Sequence, residues 1–483
     1  MMDLSVNSPF MFIMPGLVFS GMRVNAALLA FLLCLLAVIP VVGVRYTGVI
    51  DYPPLSYPPS DMVVDDAGRI WFALPLGRSV ALYVPDVGLN NIELGFSVSD
   101  LVYGYGVVVA YEAGSSELVF IDSSTGKVLW KSVEAGLIDA VVTVDGGFVL
   151  VKNFPTMTVL THLSPEGNVL WEGRITDRQL ERFRPAAASG RYVWLKTVDG
   201  NLLMVELGRE GYREFKLDKK PVVLASRDGK VWAVDSDGGV ARLSIRGVEL
   251  RLNTEFRARV GDIGFALPGD RLVILSRLEG FIRDISGGQV SSEQLQASFT
   301  LAALKGPTLI YLLDSSEKRI VIASVSRPPA ISDTSATPVE NGVRVKVVAR
   351  VTDPDGDLAE GYPRVVGVLG SEVATQQMSL SGGVYSAELV VPEGDGVLRV
   401  YVQALDVGGN EARLEVANYQ VEGGRISGSG PTPTVTTTPT ATTPTDLSSL
   451  FPIAVEMAFF LVLVTALVVI LLGRPRRARR RRR

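Results

Sequence analysis

Three aspartates at alternate positions of one short stretch, Asp353, Asp355 and Asp357 in VTDPDGD, are the best candidates for metal chemistry in this chain. Oxygen clusters of that kind suit calcium. The spacing departs from an EF-hand loop, because glycine falls at the fourth position and Arg364 stands where a bidentate glutamate belongs. The competing reading is an Asp-Pro-Asp-Gly turn whose side chains cap its own amides. A second candidate is basic: Arg174, Arg178, Arg182 and Arg184 within GRITDRQLERFRP could hold an anionic ligand such as a sugar acid. Its alternative is a solvated helix face with Asp177 and Glu181 as local ion-pair partners.

Other chemistries lack parts. His162 is the only histidine and Cys34 the only cysteine. Zinc sites, Ser-His-Asp triads and Cys-His pairs all need histidine with a partner. No nucleophile motif surrounds His162, which reads as a strand histidine at a surface. Cys34 lies in an apolar run that signal cleavage would remove, so no disulfide is expected in the mature chain. No catalytic residue and no cofactor is assigned, calcium at the aspartate loop apart, and an enzyme is not expected. Paired carboxylates remain a route to acid–base chemistry, but they would have to meet from distant parts of the chain.

The elements that must position these residues are strands. Hydrophobic residues make up 47 % of the 483, charged residues only 20 %, and there are 48 glycines and 27 prolines. That mixture suits an all-β protein of more than one domain, with membrane segments supplying part of the apolar excess. Runs rich in β-branched and aromatic residues recur at RIWFAL (69), GVVVAY (106), FVLVKN (148), YVWLKT (192), KVWAVD (230), RLVILS (271) and TLIYLL (308). Each follows a glycine-bearing turn, and their starts lie 37 to 44 residues apart. A period near forty with several short strands per unit marks a β-propeller. Seven blades are expected over 45–327, eight being the alternative. The last unit is one strand short, and RYTGVID (45–51) could complete it and close the ring.

The repeat IDSSTGKVLW resembles those of quinoproteins, and DMVVDDAGRIWFA resembles the NHL-like repeats of outward-facing propellers. Quinone enzymes of that look imply cofactor ligands, a calcium site and often a cysteine pair, and no such set is found here. Trp130 and Trp171 are therefore read as packing residues. Beyond Pro328 the strands lengthen and alternate. VTDPDGD and ALDVGGN resemble the turns of immunoglobulin-like or fibronectin type III-like sandwiches of microbial surface proteins, over 328–421.

The ends point to a membrane. MRVNAALLAFLLCLLAVIPVVGV from Met22 has the three-part signal pattern, so 1–44 is expected to be a signal peptide or anchor. Residues 422–450 form a Thr/Pro-rich stalk, with nine threonines and four prolines in 431–445. The apolar stretch 451–473 is long enough to span, and the Arg-rich tail 474–483 follows it directly. The net charge of −4 includes eight arginines in that tail, so the rest of the chain carries −12. The body is thus expected outside the cell and the tail in the cytoplasm, with the membrane as one partner. The expected role is an anchored binding or scaffold protein whose partner is an envelope glycan or protein, not nucleic acid. The alternatives are an extracellular lyase or glycosidase, and a structural envelope component or outward subunit of a membrane complex.

Overall fold

The computed structural model describes residues 44–181 and 184–429. The expected signal segment, most of the stalk, the span and the arginine tail lie outside the described residues. Among the described residues no helix is long and apolar enough to cross a membrane. Their regular elements are strands, apart from a single 3-10 turn at Glu340–Gly342. Two units are present.

The first unit holds the repeats as seven four-stranded antiparallel modules, arranged as a β-propeller. The innermost strands are Asp61–Val64, Asp100–Gly104, the second half of Val128–Val144, Ala186–Ser189, Pro221–Arg227, Ile263–Leu267 and Leu301–Lys305. Burial explains the composition of each module. The second strands, such as Ile70–Leu74 and Val107–Tyr111, are buried on both faces because neighbouring blades cover them, hence their unbroken apolar runs. Outermost strands such as Gly88–Glu93 and Gln289–Gln294 meet solvent and are largely polar. Tight hairpins join the inner strands: Tyr105-Gly106 and Asp228-Gly229 both have positive φ at two consecutive residues, the type I′ geometry that matches strand twist.

The seventh module is completed from the other end of the domain. Arg45–Asp51 pairs antiparallel with Arg319–Ser324, in the sheet that also contains Leu309–Asp314 and Leu301–Lys305. Ile50 packs with Met62, Phe72 and Leu313, joining the last blade to the first. Val44 N donates to Glu293 Oε2 (2.7 Å) and Gln296 N to the Tyr46 hydroxyl (2.7 Å), tying the same segment to the sixth blade.

Blades two and three are not separate sheets. Val128–Val144 is one 17-residue strand that serves as the outer strand of blade two and then the inner strand of blade three. No proline interrupts it. Its bend falls at Gly136 (φ +90), where a Cβ would lie 2.6 Å from the Phe154 ring.

The first unit also takes in 353–359 and 406–409. The second unit comprises two antiparallel sheets. One runs Ala330–Val339, Arg344–Thr352, Val384–Val390, Ser379–Ser381; the other runs Glu372–Gln377, Arg364–Leu369, Gly396–Leu405, Glu411–Glu422, Arg425–Ser429. Alternation sets the inner faces, with Val345, Val347 and Ala349 buried from one sheet and Leu398, Val400 and Val402 from the other. The strand Arg425–Ser429 extends this unit into residues expected to begin the stalk. Gly423 and Gly424, both at positive φ, turn the chain back so that Arg425 pairs with Glu422.

Deleting Arg45–Asp51 leaves the ring open and two sheet edges exposed. A chain beginning at Pro58 is expected to lose stability throughout the propeller in one cooperative transition. Calorimetry showing an unchanged melting profile would contradict the closure.

Candidate ligand-binding face

Strand alternation places the blade-to-blade connections and the turns between second and third strands on one face of the propeller. The longest connection there runs from Ile175 to Ala186, and its described residues are not helical. Buried Leu180 bridges to Thr197, Val198 N donates to Gln179 O (3.0 Å) and Glu181 N to Lys196 O (2.9 Å). The segment is thereby stitched to the end of the fourth blade's second strand, which is why the helix-face expectation fails. Between it and the third blade lies a groove of 1080 Å³. Its floor and walls include Phe154, Pro155 and Met157, with Leu137 and Val198 each about half exposed.

The charged groups along the groove are mostly spoken for. Arg178 Nη2 bonds Glu214 Oε2 (2.7 Å), while Asn201 Nδ2 holds the other oxygen of Glu214 (2.8 Å). Asp177 accepts from the Tyr212 hydroxyl (2.5 Å) and lies beside Arg178. Glu181 pairs with Lys220, which comes from beyond its own segment.

The four arginines do not converge. Arg174 pairs with Glu172 (3.1 Å) and lines a smaller cavity of 410 Å³, away from Arg178 in the main groove. Arg182 lies outside the described residues. Arg184 is directed elsewhere, where its charge acts on Asp61, Tyr111 and Lys196.

That second locus joins residues of blades one, two and four. Asp61 opens the inner strand of blade one, and its Oδ2 accepts from Leu101 N of blade two (2.8 Å). Burial pushes its carboxyl up to about 6, the Leu101 bond opposing and the Asp100 carboxylate adding to the rise. Burial likewise raises the Tyr111 phenol, with Asp100 and Asp61 contributing. Lys196 is driven down to about 8 by burial, against the pull of Glu181. None of these residues was singled out from the sequence. A signal was present, since Asp61, Asp100 and Asp139 recur at 39-residue steps at the start of three inner strands.

The aspartate loop is also divided among partners. Asp353 accepts from the Asp355 (3.1 Å) and Asp357 (2.6 Å) amides, as in a self-capping turn. Asp355 is buried against Arg271 (3.2 Å) and Arg327 (2.7 Å). Asp357 accepts from Ser326 and Thr308 and is pushed up to about 6, chiefly by burial. Among the described residues no three metal-ligating side chains are grouped to hold an ion; in this arrangement the three carboxylates do not fit a shared calcium. His162, paired with Trp171 across two strands, is buried rather than at a surface, and burial lowers its pKa. Trp130 stacks on Phe120 at 4.0 Å between ring centroids, a packing contact.

Asp61 gives a signed pH prediction. Its folded pKa, about 6, exceeds its ordinary 3.8, so protonation favours the fold. That contribution is complete below the ordinary value and is lost as pH rises through 6, an effect of about 3 kcal/mol at most. Asp61→Asn keeps an acceptor for Leu101 N. It should match the parent's thermal stability at pH 4 and exceed it at pH 7.5. Parallel curves across that range would contradict the burial argument.

No protein-family model matches this chain, and no curated protein matches it. Solved structures similar to it include virginiamycin B lyase from Staphylococcus aureus, at 13 % identity over 58 % of this chain and 99 % of that one, TM-score 0.47. BamB from Moraxella catarrhalis is similar at 12 % identity over 58 % and 98 %, TM-score 0.40. The WD40 propeller domain of Doa1 is similar at 14 % identity over 58 % and 97 %, TM-score 0.42. At such scores the likenesses add no argument to the propeller, which stands on this chain's own sheets.

Proposed function

We propose that this chain is a binding platform held outside the cell on a membrane anchor, with its ligand taken on the connection face of the propeller. The groove between blades three and four carries this reading. It is roomy, its walls mix apolar side chains (Leu137, Phe154, Pro155, Met157, Val198) with polar ones such as Asn153, Thr156 and Gln179, and its charged rim is ion-paired. Such a surface suits a partner that brings apolar groups with a few polar ones. The signal-like start, the apolar stretch near the end and the arginines after it supply the anchoring. The second unit is an immunoglobulin-like sandwich in this reading. Its first sheet has the order A-B-E-D and its second sets C′-C-F-G side by side, the arrangement of that class with one strand added.

One observation favours an enzyme instead. The Asp100 carboxylate of blade two acts on the Asp61 carboxyl of blade one, and both act on the Tyr111 phenol. Two carboxylates in such an arrangement can serve as acid and base. Turnover of an envelope polysaccharide that disappears in both Asp61→Asn and Asp100→Asn would establish that reading over the platform.

Two measurements test the platform. Protease added to intact cells should remove the body and spare the arginine tail; a body protected until lysis refutes the topology. On arrays of envelope glycans and envelope proteins, Leu137→Asp should weaken any specific partner about tenfold, as expected for a charge placed in an apolar contact. Binding indifferent to that substitution and to Val198→Asp would remove the groove from the account.

A further inference from the structure

The five tryptophans of the chain differ in what surrounds them. Trp71, Trp194 and Trp232 are buried in the blades. Trp130 is held between Phe120, on which it stacks, and Gly167, where a Cβ would overlap its ring. Trp171 is half-buried. It packs against the apolar cluster that contains Leu160 and Val205, and with those two residues it also lines the 410 Å³ cavity at the rim of the propeller. That cavity lies between the outer strand of blade three, Val169–Ile175, and the turn that follows the third strand of blade four, Leu202–Glu206.

Gly173 makes room for the ring. A Cβ there would overlap Trp171 Cη2 and lie 2.5 Å from Cζ2, so the six-membered half of the indole lies along the strand over a residue with no side chain. Charged groups complete the walls, Glu172 and Arg174 from the strand and Arg209 and Glu210 from the turn. Arg174 bonds Glu172 (3.1 Å), and Arg209 reaches Glu206 (2.9 Å). The two carboxylates and two guanidiniums of the lining sum to no net charge. An anion or a cation would therefore meet repulsion along with attraction. A neutral ligand rich in hydroxyls finds both acceptors and donors, since carboxylates accept and guanidiniums donate. Its apolar face finds the indole.

We propose that the Trp171 cavity binds a neutral sugar, with one pyranose ring set against the indole and its hydroxyls bonded to the surrounding carboxylates and guanidiniums. The cavity volume, 410 Å³, falls within the range of small-molecule sites, roughly 300–1,000 Å³. The site goes beyond the platform reading, because it shares no lining residue with the groove on which that reading rests.

The test titrates the full chain with the methyl glycosides of glucose, galactose, mannose and N-acetylglucosamine, followed by calorimetry and tryptophan emission. Sodium glucuronate and choline chloride are the charged controls. At least one neutral glycoside should bind and change the emission. Trp171→Ala should weaken it about tenfold, and Trp171→Phe, which keeps a smaller ring, should recover part of the loss. Arg209→Ala and Glu210→Gln, both on an exposed turn, should each weaken it about threefold. No binding by any of the four glycosides overturns the site, as does full affinity in Trp171→Ala. Tighter binding of glucuronate or choline than of every neutral glycoside overturns the neutral-sugar assignment. If Trp171→Ala does not fold, the two turn variants decide, and unchanged affinity in both overturns the proposal. Leu137→Asp should leave sugar affinity as it is; its loss there would move the sugar to the groove and overturn this site. Partner capture that depends on Leu137, with no sugar bound by the parent, would leave the platform standing and remove only the rim site.

Discussion

The antiparallel ladder between Arg45–Asp51 and Arg319–Ser324 is the constraint on which the propeller depends. Each blade buries both faces against neighbours, so an open ring would expose two apolar faces at once, those of blades seven and one. The strands that meet stand more than 260 residues apart in sequence. Loop-closure entropy grows only slowly with length, so the distance costs little compared with the area that closure buries. The penalty falls on folding rate, because this contact cannot form before the blades between it exist.

Closure also gathers chemistry that the chain keeps apart. Asp61, Tyr111 and Lys196 come from blades one, two and four, yet the charge of Arg184, from the connection into blade four, acts on all three. The groove beside them is shaped by a different device, the stitching of 176–181 onto the end of a strand at Thr197 and Val198. Both depend on blades held at fixed spacing. Neither depends on a long-range motif.

What could be read from the sequence was local. Two-residue glycine turns and apolar second strands announce themselves within a few residues, so the repeat and the missing strand of the last blade were legible. The self-capping turn at Asp353 was legible as an alternative for the same reason. Tertiary partners were not. Asp355 meets Arg271 across 84 residues, and Glu181 takes Lys220 from the next blade connection. The arginine-rich connection has helical charge spacing, but the edge of blade four offers it backbone bonds, and those prevail. Blades two and three share a strand because VEAGLIDAVV carries glycine where a full turn would need more.

Hydrogen exchange of the backbone amides in Arg45–Asp51 tests the central claim most directly. If the ring is closed by this strand, its ladder amides should be protected to the same degree as those of Arg319–Ser324, and both should open only with the whole propeller. Exchange at the rate of an unstructured segment, with the remaining blades still protected, would contradict the account.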